Sequence, residues 1–521
     1  MTLNSARRLL LSLGVIVIAA GALTGCGGGD SKPRGDTDPA NLVPASASAF
    51  LTITVRPEGK EKASAQRLTQ ALLGTASPGQ AALDLLATQA DALAGLSFAD
   101  DVDPWLGDRV AIAVTPSESG DNDLLLVAAS RDDEKARASI EKSRKLPDGG
   151  TFRNVSYSRS ADGKAAAAVV GGAMLLGNER SLQQAITSIA DDSVLSGAAS
   201  YRSATGELPA AGIATVYVDF GAVAETIGGL LGGGATAELL APVIGSQGDA
   251  IAARVIAEPG KLRIEAVATG TGDGIAAVQA EGGASDAITT LPGDSWLALG
   301  ISDVGKSLNV LLDAVSSAGG IQAIGLNVLL GQIESSLGLS LRDDVLAWMG
   351  AGGLFVRSTA SGKVGGALVV RSKDPAATRR AMRKLRGSLP GGITTRPLGA
   401  AGADESVTLS LGDLKLQLAS KGSRFVIAIG PGALAAALDP KSELQDTAGF
   451  KDAAQRLGDD LRPGLYVDLA QVANLIDRSS DGKQGATLLA GLLRRMSQVA
   501  AGGKQDGDIS RLRIVAGVPT S

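Results

Sequence analysis

The chain has 521 residues, 45% hydrophobic and 20% charged, with a formal net charge of −5. This balance suits two or more folded domains, and the mild acidity argues against nucleic acid and against a polybasic grip on anionic lipid. With no histidine and one cysteine, Ser-His-Asp and Cys-His catalysis, His-containing metal sites and disulfides are excluded. Only 3% of residues are aromatic, too few for a carbohydrate or nucleobase platform.

Arg7 and Arg8 precede an apolar stretch from Leu9 to Leu23, followed by Leu23-Thr24-Gly25-Cys26. Positive charge, apolar run and small residues in that order make a secretion signal, too short and wrongly flanked for a membrane span. The Leu-Thr-Gly-Cys end resembles the lipobox of bacterial lipoproteins. The resemblance implies that residues 1–25 are a lipoprotein signal peptide and that Cys26 carries the acyl chains. Residues 26–40, beginning Cys26-Gly27-Gly28-Gly29, read as a flexible tether. The expected partner is therefore a membrane, met through N-terminal acyl chains, and the expected place is the extracytoplasmic face of the cell membrane. No later segment offers the apolar length of a transmembrane helix.

The rest reads as a first copy of a domain over residues 41–270, a Gly/Ala/Asp-rich linker from Gly270 to Ser285, and a second copy over 286–521. Phe50 to Val55 and Trp296 to Ile301 are β-rich openings. Each precedes amphipathic helical stretches, carried by Leu68, Leu72, Leu83, Leu86 and Leu93 in the first copy. In the second they are carried by Val304, Leu308, Leu311, Leu312 and Val315, then Leu326, Leu329, Leu330, Ile333 and Leu337. Strands follow at Val110–Val114 and Leu124–Ala129, with counterparts at Gly353–Arg357 and Gly366–Arg371. A charged helix comes next, Asp132 to Lys145 in one copy and Pro375 to Arg386 in the other. Further strands are expected at Thr151–Ser158, Ala165–Val170, Met174–Leu176, Ser406–Leu411 and Phe425–Ile429, then at Val216–Asp219 and Leu465–Asp468. Each copy closes on a helix or Gly-rich segment (Gly228 to Gly245, Ala486 to Ala501) and a last strand. Gly507-Asp508, set against Gly248-Asp249, leaves room for one strand fewer in the second copy. Short turns between paired strands give an α+β class. Each copy is expected to be a mainly antiparallel curved sheet packed with amphipathic helices.

The duplication rests on repeated motifs. Gly95-Leu96-Ser97-Phe98-Ala99-Asp100-Asp101-Val102-Asp103-Pro104-Trp105-Leu106-Gly107 returns ungapped as Gly338-Leu339-Ser340-Leu341-Arg342-Asp343-Asp344-Val345-Leu346-Ala347-Trp348-Met349-Gly350, with eight of thirteen columns identical. Val216-Tyr217-Val218-Asp219 matches Leu465-Tyr466-Val467-Asp468, and Lys261 to Ile264 matches Arg511 to Ile514. The order is kept and the spacing nearly constant, at a period far longer than a solenoid's.

The repeated acids are the candidate sites. Asp100-Asp101 and Asp343-Asp344 have the chemistry to hold Ca²⁺ or to work as an acid/base pair; equally, Asp before Val-x-x-Trp is an N-cap for a short helix with Trp105 or Trp348 packed inward. Asp219 and Asp468 end strands, where each faces a cleft or caps the helix that starts at Phe220 or Leu469. Gly430-Pro431-Gly432 reads as an anion-holding helix start or a tight turn. Arg379 to Arg386 reads as a headgroup contact or a solvated face. The Leu-rich helices either complete a core or enclose an apolar cavity.

The lipobox, Leu42-Val43-Pro44-Ala45-Ser46, the Asp-Asp-Val-x-x-Trp-x-Gly motif and Val-Tyr-Val-Asp together resemble the bacterial envelope proteins grouped as domain of unknown function 3352. The resemblance implies a surface protein and supplies no catalytic residues, cofactor or metal. The expectation is a non-catalytic binding or scaffold protein of the cell envelope, with an envelope protein or apolar ligand as its partner. Two alternatives stand: a carrier or sensor of a lipid or other apolar ligand, and a hydrolase that uses carboxylates alone.

Overall fold

The structure is a computed structural model that describes residues 37–57, 62–67, 97–116, 122–143, 145–219, 250–269, 283–317, 328, 331–332, 334–336, 338–359, 361–385, 394–400, 402–479, 490–491 and 493–518. The expected signal segment, Cys26, the Leu68–Leu93 run, Phe220, Gly228 to Gly245 and the Leu326, Leu329, Leu330, Ile333 and Leu337 positions lie outside the described residues. Two compact units divide the chain. The first takes described residues up to Thr269 and the second those from Gly283 to Gly517.

The first unit runs β1 (Ala49–Thr54), β2 (Leu106–Pro116), β3 (Asn122–Ser130), α1 (Asp133–Lys142), β4 (Asp148–Phe152), β5 (Val155–Arg159), β6 (Ala166–Val170), β7 (Ala173–Gly177), α2 (Glu179–Ala190), α3 (Ala199–Gly206), β8 (Ala214–Asp219), β9 (Ala250–Glu258) and β10 (Lys261–Thr269). Its strands pair antiparallel in the order 4-5-6-7-3-2-1-8-9-10.

The second unit opens with α4 (Gly283–Thr289) and β11 (Ser295–Ile301). It continues through α5 (Val304–Ser317), β12 (Met349–Ser358), β13 (Val364–Ser372), α6 (Pro375–Lys384), β14 (Thr394–Pro397), β15 (Glu405–Leu411), β16 (Leu414–Lys421) and β17 (Arg424–Ile429). It ends with α7 (Ala433–Leu438), α8 (Ala448–Leu457), β18 (Leu465–Asp468), α9 (Leu469–Ser479), β19 (Gln498–Asp506) and β20 (Ile509–Gly517). These strands pair antiparallel in the order 14-15-16-17-13-12-11-18-19-20.

The registers match as well as the orders. Phe50 of β1 stands opposite Ala113 and Tyr217, and Ala298 of β11 stands opposite Phe355 and Tyr466. The large ring has changed strands while each pair keeps one large and one small residue, so core volume is conserved. Both ladders carry a bulge in the same place, between Leu106 and Val110 and between Met349 and Gly352. Pro44 bridges to Val194, and Pro292 to Glu443.

Strand alternation gives each sheet two faces. In the second unit one face carries Ala298, Phe355, Ala367, Ala428 and Tyr466 into a buried cluster with residues of α4, α7 and α8. The other carries Val370, Phe425, Leu418 and Val407 against Val304, Trp348 and Met382, with Leu308 and Leu312 of α5 packed on that cluster. Each such large apolar side chain contributes about 1.5–3 kcal/mol on burial. For the described part of α5, the space between helix and sheet is therefore core. Helix α6 starts on Asp374, whose carboxylate accepts from Ala376 and Ala377, with Pro375 in the first turn. Its face of Thr378, Ala381 and Met382 is buried, which turns Arg380 and Arg383 outward.

Several expectations need correction. The second unit lacks no strand: β19 matches β9, and Gly507-Asp508 is the β19–β20 turn, with Gly507 at φ 60°. The helical reading of Ala486 to Ala501 fails from Gln498 onward, where β19 begins. Thr151–Ser158 is two strands, because Arg153 and Asn154 take φ 44° and 66° and close a hairpin. The end of the linker is helical: α4 buries Ala284 and Ile288. The end of the tether is folded too, since Pro39–Asn41 form a turn capped by Asp38, with Pro39 and Ala40 buried. Strands β14 and β16 were not anticipated.

Candidate functional site: the acidic turns and the cleft at Trp348

Each Asp-Asp pair sits in a single π-helical turn, Phe98–Val102 in the first unit and Leu341–Leu346 in the second. The N-cap is serine, not aspartate, which corrects the sequence reading. Ser97 Oγ accepts from the Asp100 amide and donates to Asp100 Oδ2, while the Ser97 amide donates to Asp101 Oδ2 at 3.0 Å. Ser340 repeats this, accepting from the Asp343 amide at 3.2 Å and donating to Asp343 Oδ2 at 3.0 Å, with its own amide 2.9 Å from Asp344 Oδ2. This is a reciprocal capping box shifted into a wider turn. Its sequence signal was Ser-x-x-Asp, three residues before the apolar run.

The turn delivers a buried tryptophan. Trp105 Nε1 donates to the Asp101 carbonyl at 2.6 Å and Trp348 Nε1 to the Asp344 carbonyl at 2.7 Å. Trp348 also meets Phe425 edge-on, with ring centroids 5.1 Å apart.

The surroundings of the two turns differ. Helices α1 and α6 both have ten residues and start on Asp132 and Asp374, so they compare position by position. In the first unit Ser139 Oγ donates to the Asp101 carbonyl and accepts from Trp105 Nε1 at 3.0 Å. Lys142 Nζ lies 2.8 Å from Asp101 Oδ1. The Lys142 ammonium and the Ser97 amide hold the Asp101 carboxyl below its usual range, and Asp101 in turn raises Lys142. In the second unit Ala381 stands where Ser139 does and Ala377 where Lys135 does. Lys384 matches Lys142 but donates to the Gly338 carbonyl at 2.7 Å. An open cleft of about 340 Å³ lies there, lined by Asp343, Asp344, Trp348, Lys373, Arg380 and Lys384 among others.

The strand-end acids serve locally. Asp468 Oδ1 accepts from the amides of Ala470 at 3.0 Å and Gln471 at 3.4 Å, capping α9. Asp219 ends β8, with its amide on the Ser48 carbonyl at 2.9 Å. Burial pushes the neighbouring Tyr217 hydroxyl up, and Tyr466 up to about 12. Gly430-Pro431-Gly432 forms a tight turn, with both glycines at positive φ. Among the described residues no group of three or more His, Cys, Asp or Glu could hold a metal ion, and no helix is long and apolar enough to cross a membrane.

A family model described as "Protein of unknown function (DUF3352)" matches residues 9–501. The chain belongs to this family. A search of the curated proteins finds no match. Among solved structures, crystal form IV of TP0453 is similar at 11% identity and a TM-score of 0.28, covering 45% of this chain and 81% of that one. Crystal form I of TP0453 is similar at 9% identity and a TM-score of 0.25, covering 46% and 80%. In each unit of this DUF3352 chain the acids that the sequence singles out are held in an acidic turn and at a strand end.

Proposed function

We propose that this DUF3352 protein is anchored through acylated Cys26 at the extracytoplasmic face of a bacterial membrane and acts there by binding or scaffolding, without catalysis. Its two units are copies of one domain, a reading supported by the matching strand order, registers and bulges. One observation carries the non-catalytic reading. In both acidic turns the second aspartate accepts from the serine amide and the first from the serine hydroxyl, so both carboxylates serve the backbone turn. A hydrolase working on carboxylates alone needs two of them facing each other across the substrate, whereas both members of each pair here are bound to one serine. Globomycin treatment or Cys26→Ala should leave an unprocessed precursor or release the protein from the membrane fraction. An unchanged size and partition would contradict the anchor.

A second reading, a carrier of an apolar ligand, is favoured by a row across the second sheet. Leu299, Leu354, Leu368 and Ile427 stand directly opposite one another on adjacent strands, and all four are half-buried. The first unit's Leu51 and Ile112 are buried at the corresponding positions. Native mass spectrometry of protein purified without detergent distinguishes the readings, because a co-purifying lipid favours the carrier.

A further inference from the structure

The two acidic turns act as an internal control for each other. They share backbone, cap and tryptophan. In the first unit the turn is closed by its own side chains, with Ser139 bridging Trp105 and the Asp101 carbonyl and Lys142 neutralising Asp101. In the second unit both functions are missing. Ala381 has no hydroxyl, and Lys384 is held by a neutral carbonyl. Among the described residues neither Asp343 nor Asp344 forms an ion pair. Asp344 uses Oδ2 on the Ser340 amide, and no described residue donates to its Oδ1. The position of Ala138 in α1 is taken by Arg380 in α6. The Arg380 guanidinium is 62% exposed and reaches only to 3.8 Å from Asp374, whose carboxylate already serves two backbone amides.

We propose that the cleft at Trp348 binds a small zwitterion, its ammonium on Asp344 and its carboxylate or phosphate on Arg380 and Lys384. The volume of about 340 Å³ accommodates a molecule the size of an amino acid or an aminoalkyl phosphate. A simple anion would be opposed by Asp343 and Asp344, and a simple cation by Arg380 and Lys384. Lys373 is already occupied by Asp303 at 2.8 Å, which leaves Arg380 and Lys384 as the groups with charge to offer. Only a ligand carrying both signs satisfies the cleft. The proposal rests on the binding reading of the protein and is independent of the anchor.

Isothermal titration of the purified full chain with glycine, O-phosphoethanolamine and soluble dihexanoyl phosphatidylethanolamine tests it, with dihexanoyl phosphatidylglycerol as the anionic control. Zwitterions should bind and the control should not. Tighter binding of the dihexanoyl lipid than of O-phosphoethanolamine assigns the ligand to a lipid headgroup, and equal or weaker binding to a free solute. Arg380→Ala, an exposed substitution that leaves the cap intact, should weaken binding by about tenfold or more. Asp344→Asn, which keeps an oxygen for the Ser340 amide and removes the charge offered to the ammonium, should weaken it as well. Absence of binding for all three zwitterions, or unchanged affinity in both variants, would overturn the proposal. Recovery of the titrated ligand unaltered by NMR separately tests the non-catalytic reading; conversion would overturn that reading and leave the site standing.

Discussion

Lys142 reaches across from α1 to place its ammonium 2.8 Å from Asp101 Oδ1, tying the helix to the acidic turn of the first unit. The lysine side chain is 62% exposed, so the pair adds little stability in screened solvent. Its effect is one of pH range. Asp101 is held below its usual value, so its contribution is present above about pH 4 and is lost as pH falls through the lowered folded value. Lys142 is raised, so its contribution holds up to about pH 10 and is lost above the raised value. Melting curves of Lys142→Ala and the parent should differ by a small constant amount between about pH 5 and 9 and converge as pH falls through the lowered folded value of Asp101. A difference that grows at low pH would refute the pairing.

Ser97→Ala and Ser340→Ala each remove an N-cap oxygen from a π-turn. Each should cost about 1 kcal/mol, read as a lowered denaturant midpoint with an unchanged slope. Ser→Thr at either position should cost less, since a hydroxyl remains. Equal loss in the two substitutions would show that the hydroxyl is not the capping group.

Gly300 has no room for a methyl group, because a Cβ there would sit 1.9 Å from the Ala284 carbonyl oxygen of α4. Gly300→Ala must push α4 off β11 and should destabilise by about 3 kcal/mol or more, at the upper end of overpacking costs. A melting temperature within a degree of the parent would contradict the close approach.

Phe355 is fully buried among Ala298, Ala367 and the helices of the second unit. Phe355→Ala should cost about 3–5 kcal/mol. The compensating pair Phe355→Ala with Ala298→Phe recreates the Phe50–Ala113 arrangement of the first unit. It should recover part of that loss in a chemical denaturation series. Failure of the second change to recover anything would argue that the two registers are not interchangeable.

Burial raises the Asp303 carboxyl, but the Lys373 ammonium and the Lys306 amide outweigh it, and the net shift is downward. The stability it supplies is present above about pH 4 and lost as pH falls through the lowered folded value. Asp303→Asn should remove that acid-range loss while leaving the neutral-pH melting profile shallow and continuous.

Strongly patterned elements were legible in the chain. The Trp motif, the Val-Tyr-Val-Asp strand, the β2–β3 and β12–β13 pairs and the charged helices all carry an apolar period that the fold uses. Strand β19 was not legible because its alternation stops at Gly502-Gly503 and its second half, Lys504 to Asp506, is polar. The β4–β5 hairpin was hidden because its two left-handed turn positions are Arg153 and Asn154, without a glycine to mark them. The serine caps were written plainly as Ser-x-x-Asp, but the doubled aspartates drew the reading to themselves. The cleft at Trp348 could not be read from composition. It is lined by two alanines, Ala377 and Ala381, where α1 carries Lys135 and Ser139.

The proposed anchor at Cys26 is tested most directly by labelled palmitate. Protein purified from its native host should retain the label, and Cys26→Ala should lose it. Parent protein that carries no label would contradict the account.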